Sequence, residues 1–188
     1  MAGAAQRFGT IEALVNVAGG SGPKGIRDIE LIDDATWDFV VDLNLKSAFL
    51  FARAVVPLMR AQKYGRIVST SSSFAWGRKG PVTTQGARLA YAAANAGIHG
   101  LTAQLAKDVA EHGITVNVVV PGLTLGEPGS RIRTKFENLD AAGLDVALRE
   151  LPMKRPAEAH EVAAAVGFLV SEGASYVSGI ALPVVGAL

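Results

Sequence analysis

The sequence predicts an α/β protein in which helices cover both faces of a mostly parallel sheet, and two observations support this prediction. Short apolar runs, often β-branched, alternate along the chain with longer segments of helical periodicity. The short runs are apolar at consecutive positions, which is typical of strands buried on both faces. Strands joined by right-handed helical crossovers leave helices on both sides of the sheet. We therefore predict a three-layer αβα architecture.

Four segments are predicted to be the strands of this sheet. They are Ala13–Asn16, Arg66–Ser71, Thr115–Val120 and Ile180–Val185. Pro121 and Gly122 end the third of them. The Gly20–Gly25 stretch has the spacing Gly-x-Gly-x-x-Gly, but Pro23 and the residues beyond it open no obvious helix. We therefore predict a flexible loop there, not a phosphate-binding turn.

Three long helices are predicted between and after these strands. They are Asp33–Gln62, Ala87–Glu111 and Ala159–Ser171. Pro57 is expected to bend or end the first helix near its C-terminus. Gly113 follows the second helix, where a C-terminal cap is expected. The polar segment Leu123–Pro156 is predicted to be irregular, with a short helix near Ala141–Glu150.

The composition excludes several kinds of chemistry. The chain has no cysteine, so disulfide bonds, thiolate metal sites and cysteine nucleophiles are ruled out. Lys and Arg number 18 against 17 Asp and Glu, without a basic or acidic block, so neither nucleic acid nor an anionic membrane surface is expected as a partner. His99, His112 and His160 lack ligand spacing, so structural or surface roles are expected for them and no metal site is predicted. The Gly-x-Ser-x-Gly motif of hydrolases does not occur.

Neither secretion nor membrane insertion is indicated by the sequence. The residues from Met1 to Phe8 lack the basic-then-apolar layout of a signal peptide. The longest apolar stretches are interrupted by Asn44, Lys46 and Arg53, so no membrane span is predicted. A cytoplasmic location is expected, and the lack of cysteine is compatible with it.

The predicted sheet brings three loop segments to one edge. Ligands of open parallel sheets bind beyond the carboxyl ends of the strands. The segments that follow the strands are Asn16–Gly19, Ser69–Ser73 and Pro121–Thr124. We therefore expect the chemistry of the protein to lie in these segments.

Six short motifs run through the chain. They are Asn-Val-Ala-Gly at 16–19, Asp-Leu-Asn-Leu-Lys at 42–46, Gly-Arg-Ile-Val-Ser-Thr-Ser-Ser at 65–72, Tyr-Ala-Ala-Ala-Asn-Ala-Gly at 91–97, Val-Asn-Val-Val-Val-Pro-Gly-Leu-Thr at 116–124 and Ser-Gly-Ile-Ala-Leu-Pro-Val at 178–184. In this order, over nearly the whole chain, they resemble the short-chain dehydrogenase/reductase family, which implies a Rossmann-like fold. The third motif is similar to the family's catalytic serine strand, and the fourth is similar to its Tyr-x-x-x-Lys helix.

The resemblance implies an oxidoreductase that transfers a hydride between NAD or NADP and a small-molecule alcohol or ketone. Tyr91 would donate or accept the proton, Ser72 would orient the carbonyl oxygen, and Asn44 would hold a water for a proton relay. The residues implied for the nicotinamide side of the cofactor are Asn16, Ala18, Gly19, Tyr91, Pro121, Gly122 and Thr124.

The choice of catalytic serine leaves alternatives open. Ser71, Ser72 and Ser73 form a run at a predicted strand end, and Ser72 is the match to the family motif. Trp76–Gln85 makes the stretch before Tyr91 longer than is usual in the family. Ser71 and Ser73 therefore remain alternatives.

Asn95 stands where the family has the lysine of Tyr-x-x-x-Lys. A phenol has a pKa of about 10, so a nearby cation is needed to favour its phenolate near neutral pH. Asparagine can hydrogen-bond a ribose or a water in the catalytic site, but it carries no charge, so we expect weaker acid–base catalysis. Arg88 lies one helical turn before Tyr91, and a solvated surface role is expected for it.

The family's fold begins with a strand, a Gly-rich turn and a helix, and further units then hold adenosine, whereas the matching motifs here begin at Asn16. We therefore expect residues 1–188 to form a single partial Rossmann-like domain without the first strands and the Gly-rich turn. A preference for NAD or NADP is not predicted, because in the family the residues that contact the ribose 2′ position belong to the units that precede the matching motifs. The strand Ala13–Asn16 would be an unpaired edge, so a homo-oligomer or pairing with a full-length relative is expected.

Three other functions remain open at this stage. The chain can be a catalytically inactive remnant or subunit that acts through oligomerisation, since the helices that commonly form the family's dimer interface, Asp33–Gln62 and Ala87–Glu111, are both present. It can be a cofactor-free lyase or dehalogenase that uses Ser72 and Tyr91, although such relatives pair the tyrosine with arginine where this chain has asparagine. It can also be the product of a gene whose true start lies upstream.

Overall fold

The computed structural model of the protein describes residues 2–23, 26, 28–77 and 88–187. The strands in this part of the chain are β1 (Ala13–Asn16), β2 (Gly65–Thr70), β3 (Ile114–Pro121), β4 (Thr124–Leu125), β5 (Ala157–Glu158) and β6 (Ala181–Val184). The helices are α1 (Ala2–Phe8), α2 (Asp34–Val41), α3 (Ser47–Gln62), α4 (Arg88–Val109), α5 (Arg131–Glu137), α6 (Ala141–Arg149) and α7 (Ala159–Val170). The four predicted strands agree with β1, β2, β3 and β6 to within one residue at each end.

Within the described residues, β1, β2, β3 and β6 form one parallel sheet in that order, and β4 pairs with β5 in a separate parallel ladder. Residue pairs at the carboxyl edge of the main sheet are Asn16 with Ser69, Thr70 with Val119, and Pro121 with Val184. The segments predicted to carry the chemistry therefore start from the same edge. This confirms the predicted parallel α/β architecture.

The main sheet is buried between two apolar layers of helices. On one face, Met59 of α3 and Val109 of α4 pack with Ile67 of β2. On the other face, Leu169 of α7 packs against Val68 of β2. Burial of each such side chain is worth about 1.5–3 kcal/mol, so strands that are apolar at consecutive positions need helices on both sides. The predicted three-layer arrangement is confirmed.

The predicted helix Asp33–Gln62 consists of three consecutive segments. It begins after Asp33, whose side chain accepts a hydrogen bond from the backbone N–H of Thr36 at 2.8 Å. Between α2 and α3 the helix widens into one π-helical turn, Asp42–Lys46. Such a turn inserts one extra residue into the helix and is frequent at functional sites. Asn44 lies at the centre of this turn.

Pro57 lies inside α3, which continues to Gln62, so of the two expected effects, a bend or an end, the proline does not end the helix. A proline removes the hydrogen bond to the carbonyl group four residues earlier, which here belongs to Arg53. Pro57 and Arg53 are both exposed, so water can solvate the freed carbonyl oxygen. The buried side chains Val55 and Met59 keep the segment packed on the sheet.

The longest helix of the described residues is α4, with 22 residues. A short 3₁₀ turn follows it, and Gly113 then takes a left-handed conformation with φ of 71°, as predicted for a C-terminal cap. A Cβ at Gly113 would lie 2.6 Å from the backbone oxygen of Lys63, so a larger residue does not fit.

Within the described ranges, no helix combines the length and hydropathy needed to cross a membrane.

The segment predicted to be mostly irregular, Leu123–Pro156, contains two helices. The short helix predicted near its centre is observed as α6, but α5 was not predicted. Arg133 holds α5 in place: its Nε donates to the backbone oxygen of Gly126 at 2.6 Å, and its guanidinium pairs with Glu158. The contact with Glu158 joins residues 25 positions apart, so no local sequence pattern predicts it. The prediction that this segment is irregular was therefore wrong for the residues of α5.

Candidate active site

Asn44 anchors the loop that follows β1. Its buried side chain donates through Nδ2 to the backbone oxygens of Val40 at 2.7 Å and Gly20 at 2.8 Å, and its Oδ1 accepts from the N–H of Gly20 at 3.1 Å. A Cβ at Gly19 would lie only 2.7 Å from Asn44 Oδ1, so the close approach requires glycine. Both amide hydrogens of Asn44 are used, and a water can bind this side chain only as a donor to Oδ1.

Asn16 joins the carboxyl ends of the first two strands. Its Nδ2 donates to Ser69 Oγ at 3.3 Å, and the side chain is half-buried at the edge of the sheet. One amide hydrogen and the amide oxygen of Asn16 remain for another partner. Asn16 and Gly19 thus belong to the segment that follows β1, and Asn44 packs against the same segment.

The serines after β2 differ in what their hydroxyl groups contact. Ser71 is buried, and its Oγ lies 3.1 Å from the backbone oxygen of Asn95 and 3.0 Å from His99 Nε2. Ser72 is half-buried and extended, and its Oγ accepts from the N–H of Phe74 at 3.3 Å. Ser73 is the first residue of the 3₁₀ turn Ser73–Trp76. Since the Ser71 hydroxyl faces α4, the geometry favours Ser72 over Ser71.

Tyr91 packs beside the turn that Ser72 begins. Its ring contacts Val40 and Ala90, and it meets the ring of Phe74 edge-on with a centroid separation of 6.0 Å. Phe74 is two residues beyond Ser72, so the structure places the predicted serine and tyrosine on the same side of the molecule. The turn that follows Ser72 and the helix that carries Tyr91 are therefore in contact.

Asn95 is directed back onto its own helix. The residue is 2% exposed, and its Nδ2 donates to the backbone oxygen of Tyr91 at 2.8 Å. No charge is supplied at this position of α4, because an amide is neutral. Asn95 thus stabilises the helix turn that carries Tyr91.

Arg88 does not have the solvated surface position expected for it. It is the first residue of α4, it is half-buried, and its guanidinium lies 5.8 Å from the centre of the Phe74 ring. The face of an aromatic ring attracts a cation at this distance. The expectation was wrong because the 3₁₀ turn packs along the start of α4, a tertiary contact between elements that the helical pattern cannot show.

The loop after β3 is tied to β6. The N–H of Gly122 donates to the backbone oxygen of Val184 at 3.0 Å, and a Cβ at Gly122 would lie 3.3 Å from the Val185 Cα. Thr124 donates through Oγ1 to the oxygen of Gly122 at 3.3 Å, which leaves its lone pairs available. Pro121, Gly122 and Thr124 are therefore held at the same sheet edge as Asn16.

Two predicted features lie partly beyond the described residues. Of the Gly20–Gly25 stretch, Lys24 and Gly25 fall outside them, and of Trp76–Gln85, residues 78–85 do. Gly20 itself exchanges two hydrogen bonds with Asn44. Its backbone N–H is thus already used, which supports a structural role for the loop start.

Comparison with known proteins decides the family. The model of the family described as Enoyl-(Acyl carrier protein) reductase matches residues 1–186. The chain belongs to the short-chain dehydrogenase/reductase family. It is therefore an oxidoreductase of that type, with the family's Rossmann-like α/β fold.

Relatives within the short-chain dehydrogenase/reductase family include ketone reductases. The chain is 36% identical to the 3-oxoacyl-(acyl-carrier-protein) reductase of Escherichia coli K12 and covers 68% of it with 96% of its own length. It is 34% identical to the acetoacetyl-CoA reductase of Allochromatium vinosum, with 97% of this chain and 68% of that protein covered. The crystal structure of levodione reductase superposes with a TM-score of 0.82 at 32% identity, over 98% of this chain and 69% of that chain.

The sequence analysis of this short-chain dehydrogenase/reductase did not predict that His99 lies beside the candidate site. Its Nε2 contacts Ser71, and its ring meets Trp76 edge-on at 5.9 Å. Burial lowers the pKa of His99, which favours the neutral imidazole. A signal was present: Tyr91, Asn95 and His99 recur every fourth residue and so follow one side of α4.

Proposed function

We propose that this chain reduces the ketone group of a small-molecule substrate, and oxidises the alcohol in reverse, with NAD(H) or NADP(H). The observation that carries the proposal is the packing of the Ser72 turn on Tyr91, with Phe74 6.0 Å from the Tyr91 ring centre. The named activities of the relatives, 3-oxoacyl and acetoacetyl-CoA reduction, support a 3-ketoacyl compound as the substrate class.

Residues at the carboxyl edge fit the nicotinamide half of the cofactor. The carboxamide of that group needs both a hydrogen-bond donor and an acceptor. Asn16 keeps one amide hydrogen and its oxygen after bonding Ser69, and Thr124 keeps its oxygen lone pairs after bonding Gly122. When bound, the cofactor supplies the hydride. Ala18, Gly19 and Pro121 would complete the backbone wall around it.

Ser72 would hold the substrate oxygen. Because its Oγ accepts from the Phe74 N–H, the hydroxyl hydrogen is free to point away from the turn. A hydrogen bond from this hydroxyl to the substrate carbonyl polarises the C=O group and stabilises the negative charge that develops on its oxygen. Asn44 would contribute by holding the loop after β1 and, through Oδ1, one water.

Tyr91 would exchange the proton with the substrate oxygen. A phenol hydroxyl can donate its proton to the oxygen of a ketone as that ketone is reduced. Reduction requires the phenol, whereas oxidation requires the phenolate. Since Asn95 supplies no cation, we propose that ketone reduction is the favoured direction near pH 7.

Titration calorimetry and turnover measurements test this proposal. We expect NADH or NADPH to bind with Kd below about 100 μM, equivalent to more than about 5 kcal/mol. We also expect acetoacetyl-CoA or ethyl acetoacetate to be reduced at the expense of the bound cofactor. Failure of both cofactors to bind would refute the proposal and favour the inactive-subunit alternative.

A variant pair tests the role of the tyrosine. Tyr91→Phe should lower kcat by about 100- to 10,000-fold, the usual contribution of a general acid, with a much smaller change in cofactor affinity. Tyr176→Phe is the matched control, because Tyr176 is fully exposed and should tolerate the change. Equal turnover by the two variants would contradict the assignment of Tyr91.

A second role, assembly with a second copy of the chain, is favoured by the surface of α2 and α3. Large apolar side chains are exposed on these two helices: Trp37, Phe39, Phe49, Leu50 and Phe51. Contiguous exposed apolar patches are typical of protein–protein interfaces. β1 is also an edge of the sheet within the described residues, and its backbone groups can pair with another chain. We propose a homo-oligomer that buries the α2–α3 surface.

A further inference from the structure

Ser71 and His99 form a contact between β2 and α4 that the proposed chemistry does not use. Ser71 follows β2 directly, and its N–H donates to the backbone oxygen of Val119 at 2.9 Å. Its Oγ lies 3.1 Å from the oxygen of Asn95 and 3.0 Å from His99 Nε2. Asn95 and His99 lie one and two helical turns beyond Tyr91, so the contact links the serine strand to the tyrosine helix.

The hydrogens of this contact can be assigned from its chemistry. A serine hydroxyl has a single hydrogen, and the backbone oxygen of Asn95 can only accept. Both short contacts are satisfied when Ser71 donates to Asn95 and His99 donates to Ser71 through an Nε2–H group. Ser71 is only 5% exposed, so water cannot readily replace either hydrogen-bond partner of its hydroxyl group.

The same helix face holds both ends of the 3₁₀ turn Ser73–Trp76. Phe74 packs on Tyr91 at one end, and Trp76 packs on His99 at the other, with ring centroids 6.0 Å and 5.9 Å apart. Ser72 caps this turn through its contact with the Phe74 N–H. The orientation of the Ser72 hydroxyl therefore depends on how the turn lies along α4.

We propose that His99 is a positioning residue: through its hydrogen bond to Ser71, which directly precedes Ser72, it holds the 3₁₀ turn, and with it the Ser72 hydroxyl, at a fixed place relative to Tyr91. His99 touches no reacting atom in this arrangement. The catalytic consequence rests on the proposed ketone reductase function. The structural part, that His99 holds the turn, stands independently of it.

Two substitutions of His99 separate the hydrogen bond from the volume of the side chain. His99→Leu removes the donor to Ser71 and retains a side chain of comparable size. His99→Gln keeps an amide N–H that can replace the imidazole Nε2–H. His160→Leu is the control, because His160 is exposed at the start of α7. Only His99→Leu is expected to disturb the turn.

Hydrogen exchange by mass spectrometry tests the structural part. The amides of Ala75 and Gly77 report on the turn, since they donate to the oxygens of Ser72 and Phe74 at 2.9 Å. We expect exchange in the 72–77 peptide to be about three- to tenfold faster in His99→Leu, the effect of losing one hydrogen bond, and close to wild type in His99→Gln. Unchanged exchange in His99→Leu would overturn the proposal, whether or not the protein is active.

Steady-state kinetics test the catalytic part. We expect His99→Leu to lower kcat about ten- to hundredfold by misplacing Ser72, with KM for the cofactor unchanged and with recovery in His99→Gln. If the exchange changes but kcat does not, or if the leucine and glutamine variants lose activity equally, His99 does not position the reacting groups. If the wild-type protein neither binds cofactor nor reduces ketones, the reductase function fails, and the exchange result alone decides whether His99 holds the turn.

Discussion

Asn95 occupies a position of α4 where a charge would act directly on Tyr91. We predict that Asn95→Lys raises the rate of alcohol oxidation at pH 7 by about tenfold or more, because a nearby ammonium group favours the phenolate that oxidation needs. The measurement is the initial rate of cofactor reduction with an alcohol substrate at pH 7 and pH 9.

Asn95→Met is the matched control for this change. Methionine is close to lysine in length and also removes the Nδ2 bond to the Tyr91 oxygen, but it carries no charge. Oxidation should therefore not rise in the methionine variant. Equal rates in the lysine and methionine variants would show that the missing cation does not limit the reaction.

His99 should make the stability of the protein depend on pH in a defined range. Burial lowers its pKa below the usual value of 6.5, so the unfolded chain binds the proton more readily than the folded protein. The His99 contribution to the free energy of unfolding is therefore intact above pH 6.5 and is lost progressively as the pH falls below it. Denaturant unfolding of wild type and His99→Gln between pH 5 and pH 8 measures this difference. A constant difference between the two proteins over that range would contradict the prediction.

At the scale of secondary-structure elements, α5 is held by one side chain. Arg133 donates to the Gly126 oxygen, pairs with Glu158 at the start of α7, and lies 3.7 Å from Glu137. Hydrogen bonds of a charged group contribute about 1.5–3 kcal/mol each when partly buried. The family resemblance implies that the segment Leu123–Pro152, which contains α5, forms the variable substrate lid. Its position should therefore affect substrate binding more than cofactor binding.

We predict that Arg133→Ala raises KM for the ketone several-fold and leaves KM for the cofactor unchanged. Faster hydrogen exchange should be concentrated in residues 126–137 and around Glu158, because these are the parts of the chain that Arg133 contacts. Arg131→Ala is the control on the same helix, because Arg131 is exposed. An equal effect of the two substitutions would show that general charge, not the Arg133 contacts, is responsible.

The elements also show where local sequence patterns suffice. The four strands of the main sheet were predicted to within a residue because short runs of apolar residues and neighbouring turn residues are local signals. The π turn at Asp42–Lys46 and α5 were not predicted. Both depend on contacts with distant residues: Asn44 with Gly20 in the first case, and Arg133 with Glu158 in the second.

At the scale of the whole molecule, the exposed apolar surface of α2 and α3 predicts self-association. Size-exclusion chromatography with light scattering at micromolar concentration should show a mass above the 19.5 kDa of one chain. Phe51→Glu should dissociate the assembly, because a carboxylate on this surface cannot be buried without a partner. Ile132→Glu, at a similarly exposed position on α5, should leave it intact. A monodisperse wild-type monomer would contradict the prediction.

The layered parallel fold and the family motifs follow from the residue pattern alone. Apolar runs that alternate with helical periodicity have few ways to bury their surface, and the order of the strands then brings Asn16, Ser72 and Pro121 to one edge. The roles of neighbouring serines do not follow from this pattern. The hydroxyl of Ser71 faces α4 and meets His99, while that of Ser72 caps the adjoining turn. The contact between Ser71 and His99 joins residues 28 positions apart, and it exists only because α4 lies along the end of β2 in the folded chain.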